Sequence, residues 1–334
     1  MTEVSAGIVR DGEGRILVCR RGEGRRNAHL WEFPGGKREP GEDAAACLRR
    51  ELEEELRLPI SAVRPVWEAE EGGIRFTFLT AETAALPVLT EHEDARFAAP
   101  RALLPLPFCP ADAPVARRLA LAEPRVDAFF WDFDGTLFDT YPLMERAMAD
   151  ACAALGAQIS PEACHPLMKE SFGHCVRTLA ARFGLETEAL AQAYRAGEAA
   201  IDPAAYPLVT GMAETLRALR ARGGRHFLVT HRGPTARAAL EAKGLLPSFT
   251  DLVTAEDGLP RKPDPTSVRV LLERHGIDPA RAVMIGDRLL DTQAGEKAGT
   301  LGMLFDPEAR FTDADCPLRV RSAAEIAELC LNPI

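Results

Sequence analysis

Glu51, Glu54 and Glu55 stand at i, i+3 and i+4 in the run Arg50-Glu51-Leu52-Glu53-Glu54-Glu55. If this stretch is a helix, the three share one face. Three carboxylates on one face repel one another unless a cation sits among them, and hard divalent ions such as Mg²⁺ take oxygen ligands. Gly35 and Gly36 precede that helix and let backbone approach a polyphosphate closely. A solvated acidic helix is the plain alternative. A second group is scattered along the chain: Asp132-Phe133-Asp134-Gly135, then Thr230, then Lys262, then Asp287 and Asp291. The first, second and fourth of these pieces end apolar, strand-like runs. The carboxyl ends of strands in an open parallel sheet converge on one crevice. Two aspartates, a hydroxyl, a lysine and two more aspartates would meet there. An aspartate-glycine turn or a lysine-proline pair says little alone; the four pieces in order say much more.

The elements that must position these residues follow from periodicity. Residues 4–9 and 15–20 read as strands around a turn at Asp11-Gly12-Glu13-Gly14. A helix is expected over 43–56, rich in Ala, Leu, Glu and Arg, and a strand over 74–79. Proline-rich sequence at 100–114 closes this half. Beyond about Pro124 the pattern changes to apolar runs at 126–132, 226–230, 252–254, 282–287 and 301–305, separated by helical stretches at 236–243, 265–275 and 291–298. That alternation predicts a doubly wound parallel sheet. Residues 141–208 interrupt it with helical sequence only, an α-helical insert. The chain has 334 residues, and at roughly 100–200 residues per domain two are expected, 1–123 and 124–334, both of the α/β class.

Fifty acidic against 40 basic residues give a net charge of −10. This sign opposes nucleic-acid binding but leaves room for small anionic substrates in a locally positive pocket. No stretch reaches the ~18 apolar residues of a spanning helix, and Met1-Thr2-Glu3-Val4 lacks the pattern of a secretion signal. A cytoplasmic protein without membrane or nucleic-acid partners is expected. The eight cysteines form no CxxC pair, so reduced, mostly core thiols are expected.

The first group resembles the Nudix box: Gly36, five residues, Glu42, seven residues, Arg50-Glu51-Leu52, then Glu54-Glu55. The box's last glycine is Arg57 here. That glycine normally closes the helix in a left-handed turn. The resemblance implies an α/β/α sandwich with a mixed sheet. It also implies Mg²⁺, with Mn²⁺ an alternative, held by Glu51, Glu54 and Glu55. Arg50 would orient a carboxylate, Glu42 would support the site, and water would attack a phosphorus of a nucleoside diphosphate derivative. Glu51 and Glu54 are candidate catalytic residues; which glutamate takes the proton stays open. Leu30-Trp31-Glu32-Phe33-Pro34-Gly35-Gly36-Lys37 is similar to the MutT branch. By that likeness Arg20 and Arg21 bind phosphate, and Glu91, in the acidic run Glu91-His92-Glu93-Asp94, supplies a further ligand or base. Phe108-Cys109-Pro110-Ala111-Asp112 resembles a base-reading stretch with Asp112 where that branch has asparagine. Asparagine accepts and donates, whereas ionised aspartate only accepts. Asp112 is therefore expected to fit N7 and O6 of oxidised guanine less fully, to take N1–H and N2–H instead, or to serve as a turn or helix cap.

The second group resembles the haloacid dehalogenase superfamily of phosphatases over residues 126–331, with a Rossmann-like parallel sheet and a helical cap at about 141–208. The resemblance implies Asp132 as nucleophile, forming a phosphoaspartate, and Asp134 as acid and then base. Thr230 and Lys262 would hold the phosphoryl group. Asp132, the Asp134 carbonyl and Asp287 would bind Mg²⁺, with Asp291 beside them. Lys169, His174 and Arg177 from the cap, and His231 and Arg232 after Thr230, are candidate substrate contacts.

Together these imply a bifunctional hydrolase. A nucleoside triphosphate pyrophosphohydrolase, with oxidised dGTP a leading substrate, precedes a phosphomonoesterase that takes the monophosphate. Two alternatives stand beside it. The domains could act on unrelated substrates: a nucleotide sugar or ADP-ribose, and phosphoglycolate or a sugar phosphate. Or the first could merely sense nucleotide and regulate the second.

Overall fold

The computed structural model describes residues 1–332. They divide into two compact units, Met1–Arg125 with Asn332, and Val126–Leu331.

The first unit holds β1 (Thr2–Arg10), β2 (Ile16–Arg20), β3 (Trp31–Glu32), β4 (Gly35–Lys37), α1 (Ala44–Leu56), β5 (Ser61–Glu71), β6 (Ile74–Glu82), β7 (Asp94–Ala98) and α2 (Ala113–Ala122). The seven-stranded sheet runs β3-β2-β1-β6-β5, with β4 also on β1 and β7 also on β2. It is mixed, because β1 and β6 are parallel while β1 and β2 are antiparallel. Strand alternation sends neighbouring side chains to opposite faces. Ile8, Ile16, Val18 and Phe78 pack with Val115 and Leu119 of α2. Val9, Leu17, Cys19 and Leu79 pack with Leu48, Leu52 and Leu56 of α1. Each face thus carries a helix, which is the expected α/β/α sandwich.

Several elements of this unit have no counterpart in the sequence expectation, among them β3, β4, β5, β7 and α2. β5 has the charged sequence SAVRPVWEAEE and lies at the sheet edge, so burial imposes no alternation on it. Its Pro65 sits at a register shift, where a missing N–H costs no ladder bond. α2 rises from the end of the proline-rich stretch, with a proline in its first turn. There the absent N–H is harmless and the fixed φ favours a helix start.

α1 forms where expected. Asp43 caps it, accepting from the Ala46 N–H at 2.7 Å. Its far end is the left-handed turn of the box, made by Arg57 at φ 47°, ψ 42°. The Arg57 N–H bonds the Glu53 carbonyl and the Leu58 N–H bonds the Leu52 carbonyl, both at 3.1 Å. Arginine thus adopts the glycine conformation rather than abolishing the turn. Left-handed backbone costs a side-chain-bearing residue roughly 1–2 kcal/mol, partly offset by the entropy glycine loses on folding. Arg57→Gly is therefore expected to stabilise this unit by about 0.5–1 kcal/mol, read as a rise of a few degrees in its unfolding midpoint.

The second unit holds β8 (Ala128–Trp131), α3 (Tyr141–Ala154), α4 (Pro161–Glu170), α5 (Phe172–Phe183), α6 (Thr187–Ala199), α7 (Met212–Ala221), β9 (Arg225–Val229), α8 (Thr235–Ala242), β10 (Phe249–Val253), α9 (Thr266–Arg274), β11 (Ala282–Gly286), α10 (Leu289–Lys297), β12 (Leu301–Phe305), β13 (Arg319–Val320) and α11 (Ala323–Leu331). Its six strands run β10-β9-β8-β11-β12-β13, all parallel. The central strands β8, β9 and β11 are apolar and buried almost throughout, as a sheet covered on both faces requires. The four helices α3–α6 make the insert, with a core of their own around Met148, Cys152, Cys164, Cys175, Leu179 and Leu190. All eight cysteines are free and all but Cys330 are buried. No helix among the described residues is long and apolar enough to cross a membrane.

Candidate active sites

In the first unit a pocket of about 580 Å³ is lined by Arg21, Gly36, Glu51, Glu55, His92 and Asp112, among others. A Cβ at Gly36 would lie 2.2 Å from the Glu51 carboxyl carbon, so a side chain there would displace that carboxylate. Arg50 organises the box. Its Nε and Nη2 donate to the two Glu42 oxygens at 3.0 Å each, and its Nη1 donates to Glu51 at 2.9 Å and Glu54 at 3.3 Å. That fork holds the Glu42 carboxyl down at about 2.

The three box glutamates are not equivalent. Glu54 is 60% exposed and stays off the pocket wall. Glu55 is largely buried, and one of its oxygens, Oε2, has no hydrogen-bond partner. Burial, with Glu51, Glu32 and Glu91 nearby, pushes Glu55 up to about 7, against the pull of His92. A buried, unpartnered carboxylate beside a second one is the donor set that a divalent ion satisfies. The i, i+3, i+4 spacing alone would make the three equivalent; the buried wall that selects Glu51 and Glu55 comes from other elements.

The arginines and the acidic loop also divide. Arg21 lines the pocket and pairs with Glu32. Arg20 lies outside the lining, donating to the His29 carbonyl at 3.1 Å. Glu91 is half exposed at the rim, paired with Arg25. The adjacent His92 is only 7% exposed, with its Nε2 3.3 Å from Glu32 and 3.9 Å from Glu55. Sequence reasoning missed His92, and its place inside the acidic run gave no sign which side chain turns inward.

Asp112 is set apart by its burial. It is the residue before α2 but makes no side-chain cap bond. Instead it is buried and accepts from the Phe33 N–H at 3.0 Å. Burial pushes its carboxyl up to about 8, with Glu32 adding and Phe33 N–H and Arg21 opposing. It therefore carries a proton at neutral pH and can donate as well as accept.

In the second unit, sheet order brings the strand-end residues together, since β9, β8 and β11 are neighbours. Lys262 Nζ donates to Asp132 Oδ1 at 2.6 Å and to the Val229 carbonyl at 3.0 Å, and lies 2.5 Å from Asp291. Burial disfavours its charge, but Asp132 and Asp291 outweigh that and raise its pKa. Asp132 is held up at about 6 by burial and by Asp291, against Lys262. Carboxylate oxygens of Asp132, Asp287 and Asp291 lie within 4.8 Å of one another, the one such acidic trio among the described residues. Asp132 Oδ2 and Asp287 Oδ1 are buried without hydrogen-bond partners. Buried unpaired carboxylate oxygens are costly, and a cation at this point would satisfy them. Gly135, at φ +72°, leaves the room: a Cβ there would lie 2.6 Å from Asp287.

Thr230 follows β9 and is buried, its hydroxyl accepting from the Arg232 N–H at 3.1 Å. The His231 ring accepts from the Lys262 N–H at 2.8 Å. The Asp134 carboxylate accepts from Thr140 Oγ1 at 2.6 Å and from Arg232 Nη2 at 2.7 Å. Of the cap candidates, Lys169 enters the site, 3.0 Å from Asp287 Oδ2. His174 pairs with Glu170 at 3.1 Å within the cap, and Arg177 is exposed. Tyr141, not singled out from the sequence, donates to Asp287 at 3.0 Å.

Comparison with known proteins agrees with this geometry. Residues 126–299 match the family described as haloacid dehalogenase-like hydrolase, and residues 1–119 match the NUDIX domain. A phosphoglycolate phosphatase of Rhodospirillum rubrum is 32% identical over 184 residues, 52% of this chain and 76% of that protein. An 8-oxo-dGTP diphosphatase of Haemophilus influenzae is 48% identical over 54 residues, 16% of this chain and 40% of that protein. The solved structure of a HAD family hydrolase from Deinococcus radiodurans R1 superposes with a TM-score of 0.50 at 23% identity, over 61% of this chain and 97% of that one, a likeness of fold. Buried aspartates converging at the ends of β8 and β11, a lysine across them and a separate box of glutamates thus have one common reading: the chain belongs to the haloacid dehalogenase-like hydrolases and carries a NUDIX domain ahead of that hydrolase domain.

Proposed function

We propose that the chain is a bifunctional phosphate hydrolase. Its first domain cleaves a nucleoside triphosphate, oxidised dGTP the leading candidate, to monophosphate and pyrophosphate. Its second removes phosphate from a monoester, the nucleoside monophosphate among its substrates. The observation that carries the second activity is the buried Asp132, with Oδ1 held by Lys262 and Oδ2 without a partner. A buried carboxylate held by a lysine at one oxygen, with its second oxygen open to a cation, is a positioned nucleophile. In this reading Asp132 attacks phosphorus and the ester oxygen leaves with a proton from Asp134. Asp134 then takes a proton from the water that hydrolyses the phosphoaspartate. Lys262 and Thr230 hold the transferring oxygens. Asp132, the Asp134 carbonyl and Asp287 are the residues that would hold Mg²⁺ or Mn²⁺, with Asp291 beside them; at the first site Glu51 and Glu55 would do so, with Glu54 at the rim. When bound, the ion supplies charge neutralisation on the phosphate oxygens.

Oxidised guanine presents a donor at N7 and an acceptor at O6. A protonated Asp112 meets both, as an asparagine would. The likeness to an 8-oxo-dGTP diphosphatase supports the same substrate. Above its pKa of about 8 Asp112 loses the donor. The kcat/KM for oxidised dGTP should therefore fall as pH rises through that value, because the bond to O6 is lost. One buried polar mismatch costs about 1–3 kcal/mol, or roughly 5–150-fold. Asp112→Asn should keep kcat/KM at pH 7 and remove that decline at high pH. The kcat/KM of wild type and variant across pH 6.5–9.5 checks this, and parallel profiles count against Asp112 as base-reader.

A second reading, in which the phosphatase takes an unrelated small ester such as phosphoglycolate, is favoured by the 32% identity to a phosphoglycolate phosphatase. A time course separates the two. With the best triphosphate, the sequential reading gives nucleoside, pyrophosphate and phosphate, with monophosphate transient. Stoichiometric accumulation of monophosphate, together with rapid hydrolysis of phosphoglycolate, establishes the second reading instead.

A further inference from the structure

We propose that Arg232 is a positioning residue for Asp134, holding that carboxylate with one oxygen fixed and the other turned to the reacting phosphate, and tying it to the cap; this rests on the proton-transfer role given to Asp134 above. Arg232 is 7% exposed in its side chain. Its Nε and Nη2 donate to Asp134 Oδ1 at 3.0 and 2.7 Å, and Thr140 Oγ1 donates to the same oxygen at 2.6 Å. Asp134 Oδ2 receives a single longer contact from Nε, at 3.2 Å. Oδ1 is thus saturated by three donors, and Oδ2 is the oxygen left to exchange a proton.

The other side of the guanidinium faces the insert. Nη1 donates to the Tyr206 hydroxyl at 3.1 Å, and Nη2 lies 3.2 Å from Glu198 near the end of α6 and 3.6 Å from Met144 Sδ on α3. The guanidinium also lies over the rings of Phe133 and Tyr206, 5.5 and 5.1 Å from their centres. A planar fork suits this arrangement because it bonds in fixed directions, which a lysine ammonium does not. The cap thereby acts on the proton-transferring group as well as excluding water: losing the Glu198 and Tyr206 contacts frees the arginine, and with it the Asp134 rotamer.

The test uses the full chain with two esters of similar shape, phenyl phosphate and para-nitrophenyl phosphate. Phenolate needs a proton on leaving far more than nitrophenolate does. Arg232→Ala should lower kcat/KM for phenyl phosphate by roughly 10²-fold, within the range of acid–base effects, and by about ten-fold less for the nitro ester. Arg232→Lys should recover part of the loss. In an Asp134→Asn background Arg232→Ala should cost less than about 3-fold more, because residues acting as one unit are non-additive. Glu198→Gln should give a smaller loss that Asp134→Asn likewise masks. If Arg232→Ala proves unstable, the Arg232→Lys and Glu198→Gln cycles decide the matter by the same non-additivity. Equal losses for both esters, or losses that multiply with Asp134→Asn, overturn the positioning role while leaving Asp134 in place. Wild-type rates in Asp134→Asn alone overturn the Asp134 assignment and Arg232's role with it.

Discussion

Asp132→Asn is expected to abolish phosphomonoesterase turnover, with a loss of roughly 10³–10⁶-fold, the range for removing a covalent nucleophile. The amide keeps the shape and can still meet Lys262, so the fold should survive. Removing Lys262 instead would be a poorer experiment. It would leave Asp132 and Asp291 buried without their cation, a loss of about 3–5 kcal/mol in stability that would mix folding with catalysis. Beryllium fluoride, which imitates a phosphoryl group on a carboxylate, should inhibit the wild type with Mg²⁺ present. Pyrophosphate release from a nucleoside triphosphate should stay within about two-fold of wild type in Asp132→Asn if the two sites act independently. Substantial phosphate release by the variant would exclude a phosphoaspartate.

The second large effect falls on the other site. Glu55→Gln should cut triphosphate pyrophosphohydrolysis by roughly 10²–10⁴-fold, and phosphomonoesterase activity should be unchanged. The unpartnered, buried Oε2 of Glu55 and its raised pKa of about 7 single it out among the box glutamates. Glu54→Gln, on the exposed rim, should cost clearly less. Binding of Mn²⁺, followed by electron paramagnetic resonance, should weaken in step with activity in Glu55→Gln. Equal effects of the two substitutions would mean that the helical face, rather than the buried wall, sets the site. A parallel fall in phosphatase activity with the fold intact would contradict two separate centres.

Much of this was legible in the sequence because the relevant constraints are local. The helix from 44 to 56 follows from Asp43 as cap and from residues of high propensity. The apolar runs ending in aspartate follow from strands that must be buried on both faces, and a parallel sheet built from them brings Asp132, Thr230, Lys262 and Asp287 to one crevice. The edge strand 61–71 was not legible: none of its residues is fully buried, only Val63, Trp67 and Ala69 pack against the cores, and the rest of its charged sequence carries no strand pattern. Nor was the helix 113–122, whose opening proline reads equally as loop.

What the amino-acid order offered by itself was a set of candidate reacting groups, because helix period, strand ends and the motifs that resemble known families are local in sequence and need no partner to be recognised. What only the tertiary structure decided was how those groups differ from one another. Glu55 rather than Glu54 faces the pocket because the wall against it comes from distant segments, including His92 and Glu32. The Asp112 carboxyl is pushed above the usual carboxylate range because burial removes the water that would stabilise its charge. Arg232 meets Asp134, 98 residues away, because β8 and β9 are neighbours in the sheet while the insert between them supplies Glu198 and Tyr206. Burial and long-range pairing are properties of the assembled sheet, and no local pattern in the chain encodes them.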